Sequence, residues 1–479
     1  MNEENISMFC QLDAIFEVFR PCFSRKATFY WFIIVIVRFY VRCDHNGLTS
    51  IIRWLSLTPT CYDSLIKFFY STAWSVDTLF PLWVTWVLTH CPLMEFEGRL
   101  LLIGDGIKIA KESRKMPGVK CLHQDSNNNG KKASIRGHHF GVVGILVGSV
   151  LKTFCLPLRA ELHEGVDKLR LSEGLNGQPP TLITRMARLL LATAQITGRQ
   201  VYATLDAYFA VGPTFLIFKE QLNEQGEQLV HLITRAKDNT AAYFMPEDDG
   251  KRFKKRDHLK LMELFDHPYL FTTVEVLLYG KSTIITYYYV DLLWKPIDGL
   301  LRFVLIQDGE SRFILMCSDL TLSPYTILKI YTFRVKIEVT FGALKNLLGG
   351  FCYHFWTTCY PKPLRGGATM NLSKLSESAQ QHLDSTLTAI ERFVNLAVIA
   401  LGILQFFSLT AAATVWQNYT GWLRTYSSTF PSERVIKTVL ATEFFERHDK
   451  VLSSRTFQII QTKKHSSNSG KNPFLLREK

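Results

Sequence analysis

Acidic residues are in short supply: 42 Asp and Glu face 55 Lys and Arg across 479 residues, leaving a formal charge of +13. That shortage points to a polyanionic partner, either nucleic acid or an anionic membrane surface. Charged residues make up only 20% of the chain against 47% hydrophobic, which excludes a disordered polymer. Glycine (28) and proline (17) are too sparse for collagen-like or low-complexity sequence. The 10 cysteines include no C-x-x-C pair and are spread too widely for a disulfide framework, so reduced, cytosolic thiols are expected. A basic n-region is missing from MNEENISMFCQLDAIF, which argues against a secretory signal. No repeat recurs at solenoid periods.

Long apolar runs are equally scarce. Phe29 to Val37 is followed at once by Arg38, and a membrane span needs about 20 residues. Phe393 to Leu423 is uncharged and long enough, but Asn395, Gln405, Ser408 and Thr410 would put polar groups in hydrocarbon. Its LAVIALGILQFF segment suits a helix buried on most sides in a soluble protein. A soluble, cytoplasmic protein with no membrane partner is expected.

What is present falls into blocks. Residues 1–98 carry Phe, Trp, Ile and Leu at helical spacing and read as a helical domain. Within it, residues 47–71 resemble two short helices joined at Ser56–Pro59, with Thr58 as a cap and Pro59 at the first helical position. Such a pair is compatible with a helix-turn-helix that reads DNA ends, although short helix pairs occur in any α domain. Residues 99–245 alternate strands and helices as β-β-β-α-β-α-β, which predicts a mixed sheet with helices on its faces. Strands are expected at 99–105, 138–148, 153–163, 199–209 and 228–237, and helices at 180–197 and 213–220. Residues 246–322 are β-rich, with hairpin turns at Gly280-Lys281 and Asp308-Gly309. A long helix follows in 323–365, then helices and a basic tail over 366–479.

The chemistry concentrates in three acids. Asp105 ends the first apolar strand and Asp206 lies near the end of the fourth. Neighbouring strands are about 4.8 Å apart, so two such carboxylates can converge on one cation. A lone Asp at a strand end is usually a cap; a second Asp and a Glu in this order give the pair its weight. The third acid is Glu338, and Tyr331, Arg334, Glu338 and Lys345 stand at offsets 0, 3, 7 and 14. On one α-helix they would share an arc of roughly 60°. A carboxylate flanked by Arg and Lys on one helix face suits a metal ion beside a phosphate.

The pattern Y-x2-R-x3-E-x6-K resembles the signature of the bacterial insertion-sequence transposases with a DDE triad. Residues 105–141, 232–243 and 355–364 also resemble the segments that follow each acid in that family. The resemblance implies an RNase H-like catalytic core interrupted by a β-rich insertion between Asp206 and Glu338. It implies that Asp105, Asp206 and Glu338 hold Mg²⁺ or Mn²⁺, as two ions, for phosphoryl transfer. It further implies double-stranded DNA as partner, cleavage that frees a 3′-OH, joining to target DNA, and a homodimer on DNA. Tyr331, Arg334, Lys345, Arg235 and Lys237 are the expected phosphate contacts. Trp294 is a candidate for stacking on an extruded base, with core packing as the plainer account. The 251–256 basic cluster reads as a solvated face. His138-His139 reads as structural or DNA-facing, because neighbours on a strand point to opposite faces. The competing reading is a domesticated nuclease or DNA-binding protein on the same scaffold, without strand transfer.

Overall fold

The computed structural model describes residues 7–44, 47–111, 115–124, 133–163, 181–245, 258–278, 281–360, 375–424 and 429–464. Among them the chain is a mixed α/β protein. It opens with helices α1 (Met8–Val18), α2 (Lys26–Val41), α3 (Leu48–Trp54), α4 (Cys61–Tyr70) and α5 (Val76–His90). Strands β1 (Glu95–Phe96), β2 (Arg99–Ala110), β3 (Lys120–His123), β4 (Ser134–Gly148) and β5 (Thr153–Leu162) follow. Next come α6 (Leu182–Thr197), β6 (Val201–Leu205), α7 (Gly212–Lys219), β7 (Val230–Arg235), β8 (Ala241–Tyr243) and β9 (His258–Lys260). Four longer strands complete the sheet: β10 (Thr272–Leu278), β11 (Lys281–Trp294), β12 (Gly299–Asp308) and β13 (Ser311–Cys317). The chain then forms α8 (Pro324–Thr332), α9 (Lys336–Gly342), α10 (Glu377–Thr410), α11 (Ala412–Asn418), α12 (Glu433–Glu446), α13 (His448–Val451) and α14 (Arg455–Gln461).

Two compact units emerge. A helical unit is assembled from Met1–Leu82, Leu344–Phe355 and Thr388–Lys479, whereas Trp83–Ala343 and Trp356–Leu387 form the sheet unit. The helical domain expected at 1–98 and the helical region expected at 366–479 therefore contribute to one body. The reason lies in α2, which is buried without a break from Trp31 to Val41. A helix apolar on all sides must be enclosed, and α12 and α14 from the C-terminal region pack against it. The apolar part of α10 is the one candidate span among the described residues, and 83% of its window is buried, as in the core helix of a soluble protein.

Buried guanidinium groups tie the helical unit together. Arg392 donates to the carbonyls of Phe69 (2.7 Å) and Trp74 (2.5 Å) and lies 4.7 Å above the Trp74 ring. Arg42 bonds the carbonyls of Leu348 and Gly349, and Arg38 that of Gly47. Carbonyls near helix ends have no intrahelical partner, and a planar five-donor cation can satisfy two at once. The expected helix pair at 47–71 is present as α3 and α4, but α4 begins at Cys61 rather than Pro59. Thr58 does not cap it: its own amide donates to the carbonyl of Lys463, which pins the turn to the C-terminal end.

In the other unit a 13-stranded sheet runs β3-β4-β2-β6-β7-β13-β12-β11-β8-β9, with β5 on β4 and β10 on β11. The pairs β2–β4 and β4–β5 are antiparallel, and β2–β6 and β6–β7 are parallel. The β-rich block expected as an insertion continues the same sheet, because β13 pairs antiparallel with β7, Leu315 opposite Arg235. One face is covered by α8 and α9: Ile327, Ile330 and Ile337 join Leu101, Ile103, Tyr202 and Ile233 in a buried cluster. On the opposite face α6 comes so close that a Cβ at Gly104 would lie 2.9 Å from the Met186 sulfur.

Arg392→Leu keeps the apolar stem but abandons two buried carbonyls. Hydrogen bonds to a charged group contribute about 1.5–3 kcal/mol each. Thermal or urea unfolding of the full chain is expected to show a loss of about 3 kcal/mol or more in the helical unit; a change below about 0.5 kcal/mol would assign Arg392 no such role.

Candidate active site

The parallel pairing of β2 with β6 sets up the site. Ile103 is opposite Thr204, and continuing that register by two residues brings Asp105 level with Asp206. Asp105 is not at a strand end, as the sequence suggested. The strand runs on to Ala110, held by β4, with Asp105 opposite Val142. Asp206 directly follows β6 and caps a 3₁₀ turn, Ala207–Phe209, its Oδ1 accepting from the Tyr208 amide at 3.1 Å. The Thr234 hydroxyl on β7 donates to the Asp206 carbonyl at 2.8 Å, fixing the point where the strand stops.

The segment bearing the third acid is helical but not one uniform α-helix. After α8 comes a 3₁₀ turn, Phe333–Val335, then α9, then a π-helical turn, Ala343–Leu347. A 3₁₀ turn winds tighter and a π turn wider than 3.6 residues, so the expected single arc for Tyr331, Arg334, Glu338 and Lys345 does not apply. Lys345 is exposed on the π turn, where the chain has entered the helical unit. Tyr331, Arg334 and Glu338 remain with the sheet unit.

Arg334 joins the acids. Its Nη1 donates to Asp105 Oδ2 at 3.1 Å and its Nη2 to Glu338 Oε1 at 2.6 Å. The Arg334 and Asp105 side chains are 19% and 16% exposed, whereas Glu338 is 53% exposed. Burial, then the nearby Asp206 carboxylate, pushes Asp105 up to about 6, with Arg334 opposing the shift. Asp206 is also raised, chiefly by burial, again against Arg334. Two half-buried like charges that disfavour ionisation leave a site whose strain a cation relieves. Tyr331 is raised by burial and feels Arg334, Asp206, Arg235 and Asp105, which places it beside the cluster.

The donors suit a hard divalent cation, since all three are carboxylate oxygens. As placed, however, Arg334 stands between Asp105 and Glu338. Among the described residues no group of three His, Cys, Asp or Glu is arranged to hold a metal ion. The nearest to a ready-made ligand pair is Asp105 with Asp206, with Glu338 reached through the guanidinium.

The remaining expected residues divide. Arg235 is exposed at the end of β7, its guanidinium 5.7 Å from the Phe313 ring; Lys237 is exposed just beyond. Trp294 is not available for stacking: it is 6% exposed and packs edge-on against Phe215 of α7 at 5.3 Å. His138 and His139 are both buried. Burial lowers them to about 4 and about 3, so they are neutral core residues and do not face DNA. The 251–256 cluster, residues 361–364 and the tail beyond 464 lie outside the described residues. Two positioning residues escaped the sequence reading. Gly104 was visible as the small residue beside Asp105, whereas nothing in the sequence marked Thr234.

No known protein-family model matches the chain, and no curated protein matches it either.

Arg334→Leu removes the cation that holds Asp105 down. In metal-free protein, carboxyl NMR titration should place the Asp105 midpoint above about 6, so that it takes up its proton at higher pH than in the parent chain. An unmoved midpoint would show that the guanidinium does not act on this acid.

Proposed function

We propose that the protein is a DNA transposase of the insertion-sequence type, which cuts DNA at element ends and joins the freed 3′-OH to target DNA. One observation carries the reading. Asp105, Asp206, Arg334 and Glu338, drawn from two strands and a distant helix, meet at one place with Tyr331 and Arg235 beside them. The order β5-β4-β2-β6-β7, with antiparallel neighbours first and parallel ones after, supports an RNase H-like core. The excess of 55 Lys and Arg over 42 Asp and Glu supports double-stranded DNA as partner, bound by a homodimer.

Asp105, Asp206 and Glu338 would hold the metal. Mg²⁺ or Mn²⁺ held by these carboxylates, as two ions, would supply Lewis-acid activation of the attacking hydroxyl and stabilisation of charge on the phosphate. Arg334 releases some of its carboxylate contact and presents its planar fork to phosphate oxygens. Tyr331, whose raised pKa keeps its hydroxyl protonated, donates a hydrogen bond to the same group. Arg235 adds positive charge at the end of β7. Asp105 must be ionised to hold a cation, so in the free protein its capacity to take one up weakens as pH falls through about 6.

The test uses a supercoiled plasmid carrying the DNA that flanks the coding region. With Mg²⁺, Asp105→Asn, Asp206→Asn and Glu338→Gln should each lose more than about 10²-fold in cleavage, beyond the upper end of an outer-shell loss. Gel shifts in Ca²⁺ should show binding retained. Near-normal cleavage by any of the three rejects the triad.

A separate check addresses the signature helix. Arg334→Lys keeps the charge but loses the fork, so cleavage should fall severalfold or more in folded protein; cleavage equal to the parent chain would leave Arg334 as a charge partner of the acids with no role for its fork.

A further inference from the structure

The β4–β5 hairpin ends in Ser149-Val150-Leu151-Lys152. Val150 is 89% exposed and Leu151 78%, the two most exposed large aliphatic side chains among the described residues. They contribute nothing to the core, yet the turn that carries them is well made. The Ser149 amide donates to the Lys152 carbonyl at 2.9 Å, and the Lys152 amide returns to Ser149 at 3.2 Å. The Thr153 hydroxyl donates to the Ser149 carbonyl at 2.7 Å, and the Leu151 amide to Ser149 Oγ at 3.3 Å. Gly148, at φ 115°, closes the base; a Cβ there would lie 2.0 Å from the Lys152 carbonyl oxygen. The aliphatic pair is thus held outward on a pre-organised tip, which reduces the ordering cost of any insertion.

The base of the tip is cationic. The Lys152 ammonium lies 5.0 Å from the Phe154 ring centroid. Lys336 is the first residue of α9, and α9 packs against β5, the strand that begins directly after Lys152. Neither lysine has an acidic partner among the described residues. Two like charges held together beside an apolar point match a chain of phosphates flanking a stack of bases.

We propose that Val150 and Leu151 form a wedge that enters duplex DNA between base pairs, with Lys152 and Lys336 on the adjoining phosphates. Two aliphatic side chains on a hairpin tip are too small for a protein interface, which needs about 800 Å² from each partner. Their size suits insertion at a single base step, as apolar wedges do in proteins that kink DNA. Lys336 opens the helix that carries Glu338, and the tip lies about eight residues beyond Val142, the partner of Asp105, so the wedge would act on the same duplex roughly 25 Å from the acids. The inference rests on the reading of the protein as one that acts on DNA.

The experiment uses the full chain and duplexes carrying 2-aminopurine at successive positions, with donor and acceptor dyes at the ends. The parent protein should brighten 2-aminopurine at one step and shorten the end-to-end distance. Val150→Ser/Leu151→Ser, folded by circular dichroism, should lose both signals while the slope of log affinity against log salt stays unchanged. Lys152→Ala/Lys336→Ala should reduce that slope by about two units. Unstacking by the serine variant equal to the parent's overturns the wedge and leaves the transposase reading intact. Failure of the parent chain to bind DNA at all overturns both. Sedimentation with phosphatidylglycerol vesicles that depends on Val150 and Leu151, without DNA unstacking, would assign the tip to a lipid surface and overturn the wedge.

Discussion

Two carboxylates at matched positions on neighbouring parallel strands repel each other, and much of the sheet unit serves to keep them there. The β2–β6 register brings Asp105 level with Asp206, and partial burial weakens the screening of both charges by water. Left alone, such a pair would gain a proton or move apart. β4 holds the Asp105 strand straight, Thr234 fixes the end of the Asp206 strand, and α6 presses Gly104 from behind. Arg334 then supplies the opposing charge from the other face. A phosphate and its cations need the same arrangement of charge, which is why this constraint underlies the proposed chemistry.

Arg334 has a double place in that arrangement. Its fork satisfies Asp105 and Glu338 together, and those are two of the three acids proposed to hold metal. Any cation drawn to those oxygens competes with the guanidinium, and any phosphate drawn to the guanidinium frees the oxygens. In the proposed chemistry the two events would assist each other, because each releases the group that the other needs.

The helical unit uses the same residue type differently. Arg38, Arg42 and Arg392 are buried and turned toward backbone carbonyls and aromatic rings. Here the guanidinium is a multiple donor that joins segments far apart in sequence. This is how a unit made from three separate stretches of chain is held without a dominating sheet.

Much was legible in the sequence because it depends on local pattern. Period-2 and period-3.6 hydrophobicity located β2, β4 to β7, α6 and α7 within a few residues, and also the hairpins of the β-rich block. The acids Asp105, Asp206 and Glu338 and their order were visible as residue types beside apolar runs. Other features depended on contacts between distant segments. The angular spacing of an ideal helix missed the 3₁₀ and π turns that flank α9, because it assumes 3.6 residues per turn throughout. Trp294 offered an aromatic ring, and only the approach of α7 decided that it is buried. The sequence by itself determined which side chains carry charge and which segments become strands or helices, because these follow from residue chemistry and short-range periodicity. Only the tertiary structure decided that Arg334 would stand between two acids, and that the first and last helices would share one unit, because burial and charge pairing depend on which distant surfaces meet.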